Sequence, residues 1–167
     1  ETRAHTEALC RPLQVEDYVV SSMADASPTK WHLAHTSWFF ETLVLAQQPG
    51  YRVFDPAYAL LFNSYYESLG PRHPRPQRGL LTRPGIEQVR AYRDHVDAAV
   101  AALIERAGRD TWRAIEPLLE LGLHHEQQHQ ELLLTDIKHA FSVNPIAPAW
   151  AAERPALRHL AQAQRWL

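Results

Sequence analysis

The stretch Leu118-Leu119-Glu120-Leu121-Gly122-Leu123-His124-His125-Glu126-Gln127-Gln128-His129-Gln130-Glu131-Leu132 shows recurrence at three and four residues and no strand-like alternation. Leu118, Leu121, His125, Gln128, His129 and Leu132 share one face of a 3.6-residue helix. The spacing predicts a helix from about Pro117 to Phe141, ended by Asn144-Pro145 and weakened a little by Gly122. Its leucines point the same way as the imidazoles, so the face is expected to turn into a helical core. His125 and His129 stand at i and i+4, which brings their β-carbons to about 5–6 Å of each other, a metal-chelating spacing. A single histidine on an apolar face is ordinarily a hydrogen-bonded core residue. A pair at this spacing raises the metal reading to equal standing.

Outward from this helix, prolines punctuate the chain. Ser27-Pro28 reads as a helix start and Pro49-Gly50 as the matching stop, which predicts a helix over about 28–47. Ile86, Val89, Tyr92, Val96, Val100, Leu103 and Ile104 mark an amphipathic helix over about 85–107, ending at Gly108. Shorter helical pieces are expected at Thr2–Leu9, Val15–Met23 and Ala57–Ser64. Pro49–Pro84 reads as a long proline-rich connection, a kind of segment that often carries function. The expectation is an all-α bundle.

The chain has 167 residues and 46% hydrophobic content, enough for one domain with a real core. Its net charge of -2 gives no basis for a nucleic-acid or anionic-membrane surface. The longest apolar run, Ala98–Ile104, is far below the roughly 20 residues of a spanning helix, and Glu1-Thr2-Arg3 does not begin a signal peptide. A cytoplasmic location is therefore expected. Cys10 is the one cysteine, which excludes an internal disulfide and any Cys-based zinc or iron–sulfur site. The thiol reads as a bystander. The 10 histidines become the informative residues.

The helix over 28–47 carries Trp31-His32-Leu33-Ala34-His35-Thr36-Ser37-Trp38. A third imidazole from it would complete a three-histidine site with open positions, the arrangement of catalytic metals. His35 and His32 both qualify, and helical phase leaves the choice open. Arg72, Arg75, Arg78 and Arg83 crowd the proline-rich connection beside Tyr65 and Tyr66. Fifteen of the 17 basic residues are arginine, so solvated loop charge is the simpler account, and carboxylate capture by guanidinium forks is the functional one. His124 points about 100° away from His125 and reads as a neighbour or surface residue. His5, His73, His95, His139 and His159 lack ligand spacing and are expected at the surface or in caps.

The strings Asp25-Ala26-Ser27-Pro28-Thr29-Lys30-Trp31-His32-Leu33-Ala34-His35-Thr36, Phe62-Asn63-Ser64-Tyr65-Tyr66, Arg78-Gly79-Leu80-Leu81-Thr82-Arg83-Pro84 and Leu121–Leu133 together resemble the N-terminal DinB-like domain of the ergothioneine-biosynthesis sulfoxide synthases, or hercynine oxygenases. The likeness runs in order over nearly the whole chain. It implies a DinB-like four-helix bundle over 1–144, with 145–167 a proline- and alanine-rich strap or linker. In that family a non-haem Fe(II) held by three histidines works with O₂ to join a cysteine-type thiol, cysteine or γ-glutamylcysteine, to hercynine as a sulfoxide. Matching positions make His35, His125 and His129 the metal ligands, Gln128 a hercynine contact, and Arg75 and Arg78 contacts to the thiol substrate's carboxylates. Family members continue into a C-terminal domain similar to formylglycine-generating enzymes that supplies a catalytic tyrosine. The resemblance therefore implies no catalytic residue within 1–167 and a requirement for that domain as partner.

Two other classes compete. His125-Glu126-Gln127-Gln128-His129 satisfies the H-E-x-x-H pattern of zinc hydrolases, with Glu126 as general base. The extended metzincin pattern fails at Leu132 and Thr135, and a glutamate ligand would have to be Glu131 or Glu153. A DinB-like thiol-transferase or binding module is the third class.

Overall fold

The computed structural model describes residues 1–64 and 70–151. Tyr65, Tyr66, Glu153 and His159, and most of the 145–167 strap, lie outside the described residues. The described residues are helical and contain no strand, as expected. In chain order the helices are α1 (Thr2–Cys10), α2 (Thr29–Phe40), α3 (Tyr58–Leu61), α4 (Ile86–Arg106) and α5 (Arg109–Val143). Short 3₁₀ helices occupy Val15–Tyr18 and Arg75–Leu80.

Every residue of α2 is buried, so this helix is the axis of the bundle. It packs against α4 and α5, and α1 packs against α5. Lys30, Trp31, His32, His35, Thr36 and Ser37 survive burial because each has a partner. Lys30 Nζ donates to the carbonyls of Leu81 and Pro84, tying the end of the proline-rich connection to the start of α2. Phe40 runs into a π-helical turn over Glu41–Leu45. There the buried Glu41 carboxylate accepts from Tyr51 Oη (2.8 Å), Tyr92 Oη (2.7 Å) and the Phe54 amide (2.9 Å), fastening the following loop to α4. The aromatic cluster of Phe54, Tyr58, Phe62 and Tyr92 fills the space beside it.

Three sequence expectations need correction. The α5 helix begins at Arg109, eight residues before the anticipated start, and runs through Pro117. A proline inside a helix forfeits one hydrogen bond at a cost of about 3 kcal/mol. Burial of Ile115, and the packing of Leu118 and Leu119 against the core, hold the helix across it. The 15–23 segment forms one 3₁₀ turn and no longer helix. Cys10 closes α1 inside the core, one residue past the anticipated end of that piece at Leu9. The connection over 49–84 is mostly irregular, as expected, with α3 inside the anticipated 57–64 piece.

Candidate metal centre

The inward residues of α5 are Ile115, Gly122, Glu126, Gln130, Leu133, Ile137 and Ala140. Leu121 is 52% and Leu132 41% exposed, so the histidine stripe does not face the middle of the core as the leucine pattern led us to expect. It lines the rim of a cavity between α2, α5 and the proline-rich connection. Gly122 permits this arrangement: a β-carbon there would lie 2.4 Å from two ring carbons of Phe40. The helices therefore approach closely next to His125.

His35, His125 and His129 each offer a ring nitrogen, and these lie within 4.8 Å of one another. His35 is fully buried, whereas His125 and His129 are partly exposed to the cavity. Trp31, His35 and Trp38 repeat along one side of α2. Their rings form a column, with centroids 4.5 Å apart for Trp31 and His35 and 5.5 Å for His35 and Trp38, both pairs near parallel. Arg78 caps the column with its guanidinium carbon 3.4 Å from the Trp31 ring. His35 Nδ1 lies 2.6 Å from the Phe62 carbonyl, which can only accept, so Nδ1 carries the proton and Nε2 keeps its lone pair.

His32 stands beside the cluster. Its Nδ1 is 2.9 Å from His129 Nδ1, and its Nε2 is 3.0 Å from Asp136 Oδ2. The same Asp136 oxygen accepts the Ser27 amide at 2.8 Å. Asp136 was not among the residues singled out from the sequence. Its position seven residues after His129 on the same helical face was the available signal.

Desolvation dominates the electrostatics. Burial, reinforced by the neighbouring His125, holds the His35 imidazolium far below the ordinary histidine range. Burial lowers His125 to about 4. It depresses His129 strongly, with His35 and His32 adding repulsion. Three imidazoles kept neutral at pH 7 are three available lone pairs. His125 Nδ1 is buried without a hydrogen-bond partner. The donor set and that orphaned nitrogen both fit a divalent ion, and neutral imidazoles suit Fe(II), Zn(II), Ni(II) and Cu(II).

The cavity holds about 410 Å³, within the range of small-molecule sites, and Gln128, Arg75, Arg78, Ser64 and Asp25 complete its lining. Gln128 is exposed at the lip and Arg75 is partly buried. Arg78 is buried at 3% exposure, contrary to solvated loop charge, and donates to Ser27 Oγ at 2.9 Å and Ser64 Oγ at 3.4 Å. An adjoining cavity of about 510 Å³, lined by Arg72, His73, Arg75 and Arg78, shares the arginine wall. His124 is exposed, and Arg83 bonds locally to the Thr82 carbonyl.

Glu126 is absent from this cavity. Its Oε1 accepts from Thr6 (2.7 Å) and Arg93 (3.1 Å), and its Oε2 from Arg3 (2.6 Å). The position after His125 turns it into the bundle, where two guanidiniums and a hydroxyl occupy its acceptors. The general base of a zinc hydrolase must reach a water at the metal, and Glu126 is committed elsewhere.

The described residues thus form a helical bundle with an i, i+4 histidine pair on its last long helix and a third histidine on its central helix. Residues 1–133 match the family described as the DinB superfamily. The chain belongs to that superfamily. No curated protein matches it. The DinB superfamily includes metal-dependent enzymes. The match ends at Leu133, inside α5, and covers all three cavity histidines of this DinB chain. No helix among the described residues is long and apolar enough to cross a membrane.

Proposed function

We propose that this domain holds Fe(II) and the hercynine side of the reaction centre in a sulfoxide synthase that joins a cysteine-type thiol to hercynine with O₂. The single observation that carries this reading is the convergence of His35, His125 and His129 with Gln128, Arg75 and Arg78 on one cavity. Bound there, Fe(II) would supply the one-electron and O₂ chemistry that amino-acid side chains lack. The protein's own part is positioning. The Trp31–His35–Trp38 column holds one imidazole rigid, and the α5 backbone holds the other two at helical spacing. Gln128 at the lip offers an amide that can both donate to and accept from a small zwitterion. Arg75 and Arg78 present positive charge toward substrate carboxylates. The catalytic acid of the full reaction is assigned to a C-terminal domain similar to formylglycine-generating enzymes, which acts as the partner.

The test is metal loading followed by substrate titration. Anaerobic protein should take up one Fe(II) or Co(II). His35→Ala, His125→Ala and His129→Ala should each lose it by elemental analysis. Hercynine should alter the visible bands of the Co(II) form, and Gln128→Ala should weaken that response. A thiol that perturbs Co(II) while hercynine does not would favour the thiol-transferase or binding-module class. Zinc-dependent peptide hydrolysis by the wild type that is lost in folded Glu126→Gln would overturn both the proposal and the argument against a hydrolase.

A further inference from the structure

We propose that Asp136 and His32 are positioning residues that set the tautomer of His129 and so keep its cavity-side nitrogen available to a metal. The inference rests on the metal-centre part of the reading above and concerns residues outside the three-histidine set.

Asp136 Oδ2 accepts the Ser27 amide, and a carboxylate oxygen has no proton to give, so His32 Nε2 at 3.0 Å is the donor in that pair. A neutral imidazole protonated on Nε2 carries its lone pair on Nδ1. His32 Nδ1 therefore accepts, and the proton shared at 2.9 Å belongs to His129 Nδ1. His129 Nε2 is then the bare nitrogen. The Phe62 carbonyl imposes the same state on His35 directly. For His129 the instruction reaches the ring through a second imidazole, from a carboxylate on the same helix. Both ring nitrogens of His32 are consumed in this relay, which explains why a histidine so close to the cluster is not itself a donor to it. Partners of this kind fix ring orientation and raise ligand basicity, and their removal typically costs about 10–100-fold in metal affinity.

Asp136→Leu is the sharpest substitution. The oxygen that accepts the Ser27 amide is the one that faces His32, so an asparagine oxygen there would serve both, whereas leucine removes the acceptor. Without it the His32 proton is no longer fixed on Nε2, and His129 loses the bias that holds its own proton on Nδ1. The experiment measures Zn(II) and Co(II) affinity by competition with a chelator for wild type, Asp136→Leu, His32→Phe and the double variant. Circular dichroism checks folding. The ¹⁵N shifts of His129 in metal-free protein at neutral pH report the tautomer. Expected are a loss of about 10–100-fold in each single variant, no further loss in the double variant, and an Nδ1–H tautomer in wild type that gives way to a mixture in Asp136→Leu. Unchanged affinity in both folded single variants, or an Nε2–H tautomer in wild type, overturns the relay while leaving the metal centre standing. If Asp136→Leu fails to fold, His32→Phe and the wild-type tautomer decide. Wild type that binds neither metal overturns the metal-centre reading, and the relay's role with it.

Discussion

Single side chains around the cavity carry consequences that can be read one at a time. Gly122 is the point where α5 approaches Phe39 and Phe40, and a methyl group there would meet ring carbons at 2.4 and 3.1 Å. Alanine favours helix by about 1 kcal/mol over glycine. Overpacking a core held on both sides costs about 1–3 kcal/mol. Gly122→Ala is therefore expected to lose up to about 2 kcal/mol net in urea unfolding, cancelling or reversing the usual benefit of the change. Cys10 makes the opposite point about reactivity. Burial, with Glu7 nearby, pushes its thiol up to about 12. A thiol-specific reagent at pH 8 should leave it untouched in folded protein and titrate it fully after unfolding. At this scale the sequence identifies the chelating pair and leaves His32 and His35 equal. Both project from α2 with similar phase, and only the positions of Phe62, His129 and Asp136 distinguish the ring that keeps a nitrogen for the cluster from the ring whose two nitrogens are both consumed in hydrogen bonds.

Among the elements, α1 is the short helix whose contribution is out of proportion to its length. Arg3 and Thr6 reach Glu126 of α5, and Arg93 of α4 joins them. Glu126 is 1% exposed, so this is a buried charge whose desolvation is offset by two guanidiniums. Removing one partner of such a network costs about 3–5 kcal/mol, because the remaining charges stay buried without it. Glu126→Gln should lower stability by that amount in chemical denaturation while the protein still takes up one metal ion. A loss of metal stoichiometry in the folded variant would instead place Glu126 at the site. The helix periodicity of α2, α4 and α5 is legible because each buries a wide face. The start of α5 is not, since proline reads locally as a first-turn residue and the packing that carries the helix through Pro117 comes from residues distant in sequence.

At the scale of the whole molecule, a cluster of neutral buried imidazoles makes stability depend on pH. In the unfolded chain histidine binds its proton near pH 6.5. In the folded metal-free protein His125 resists protonation down to about 4, and His35 and His129 are depressed as well. Between these limits the unfolded state binds more protons, so stability falls as pH drops from about 6.5 toward 4. Thermal unfolding of the apo protein should show a midpoint declining through that window and level above it. A metal ion in 100-fold excess over its dissociation constant adds about 2.7 kcal/mol, and the increment should vanish on acidification as the ligands protonate. An equal midpoint with and without chelator at pH 7 would contradict it. The all-helical class, the long proline-rich connection and the chelating pair on one helix face were determined by the sequence alone, because spacing and proline placement are local properties of a helix. Only the tertiary structure decided that Leu121 and Leu132 stay at the surface, that Arg78 is buried against Trp31, that Glu126 is spent on two arginines, and that Asp136 reaches His129 through His32. Each of these depends on which helix lies opposite. A side chain's partner across a bundle is set by how helices pack, and residues 97 or 104 positions apart carry no local sign that they will meet.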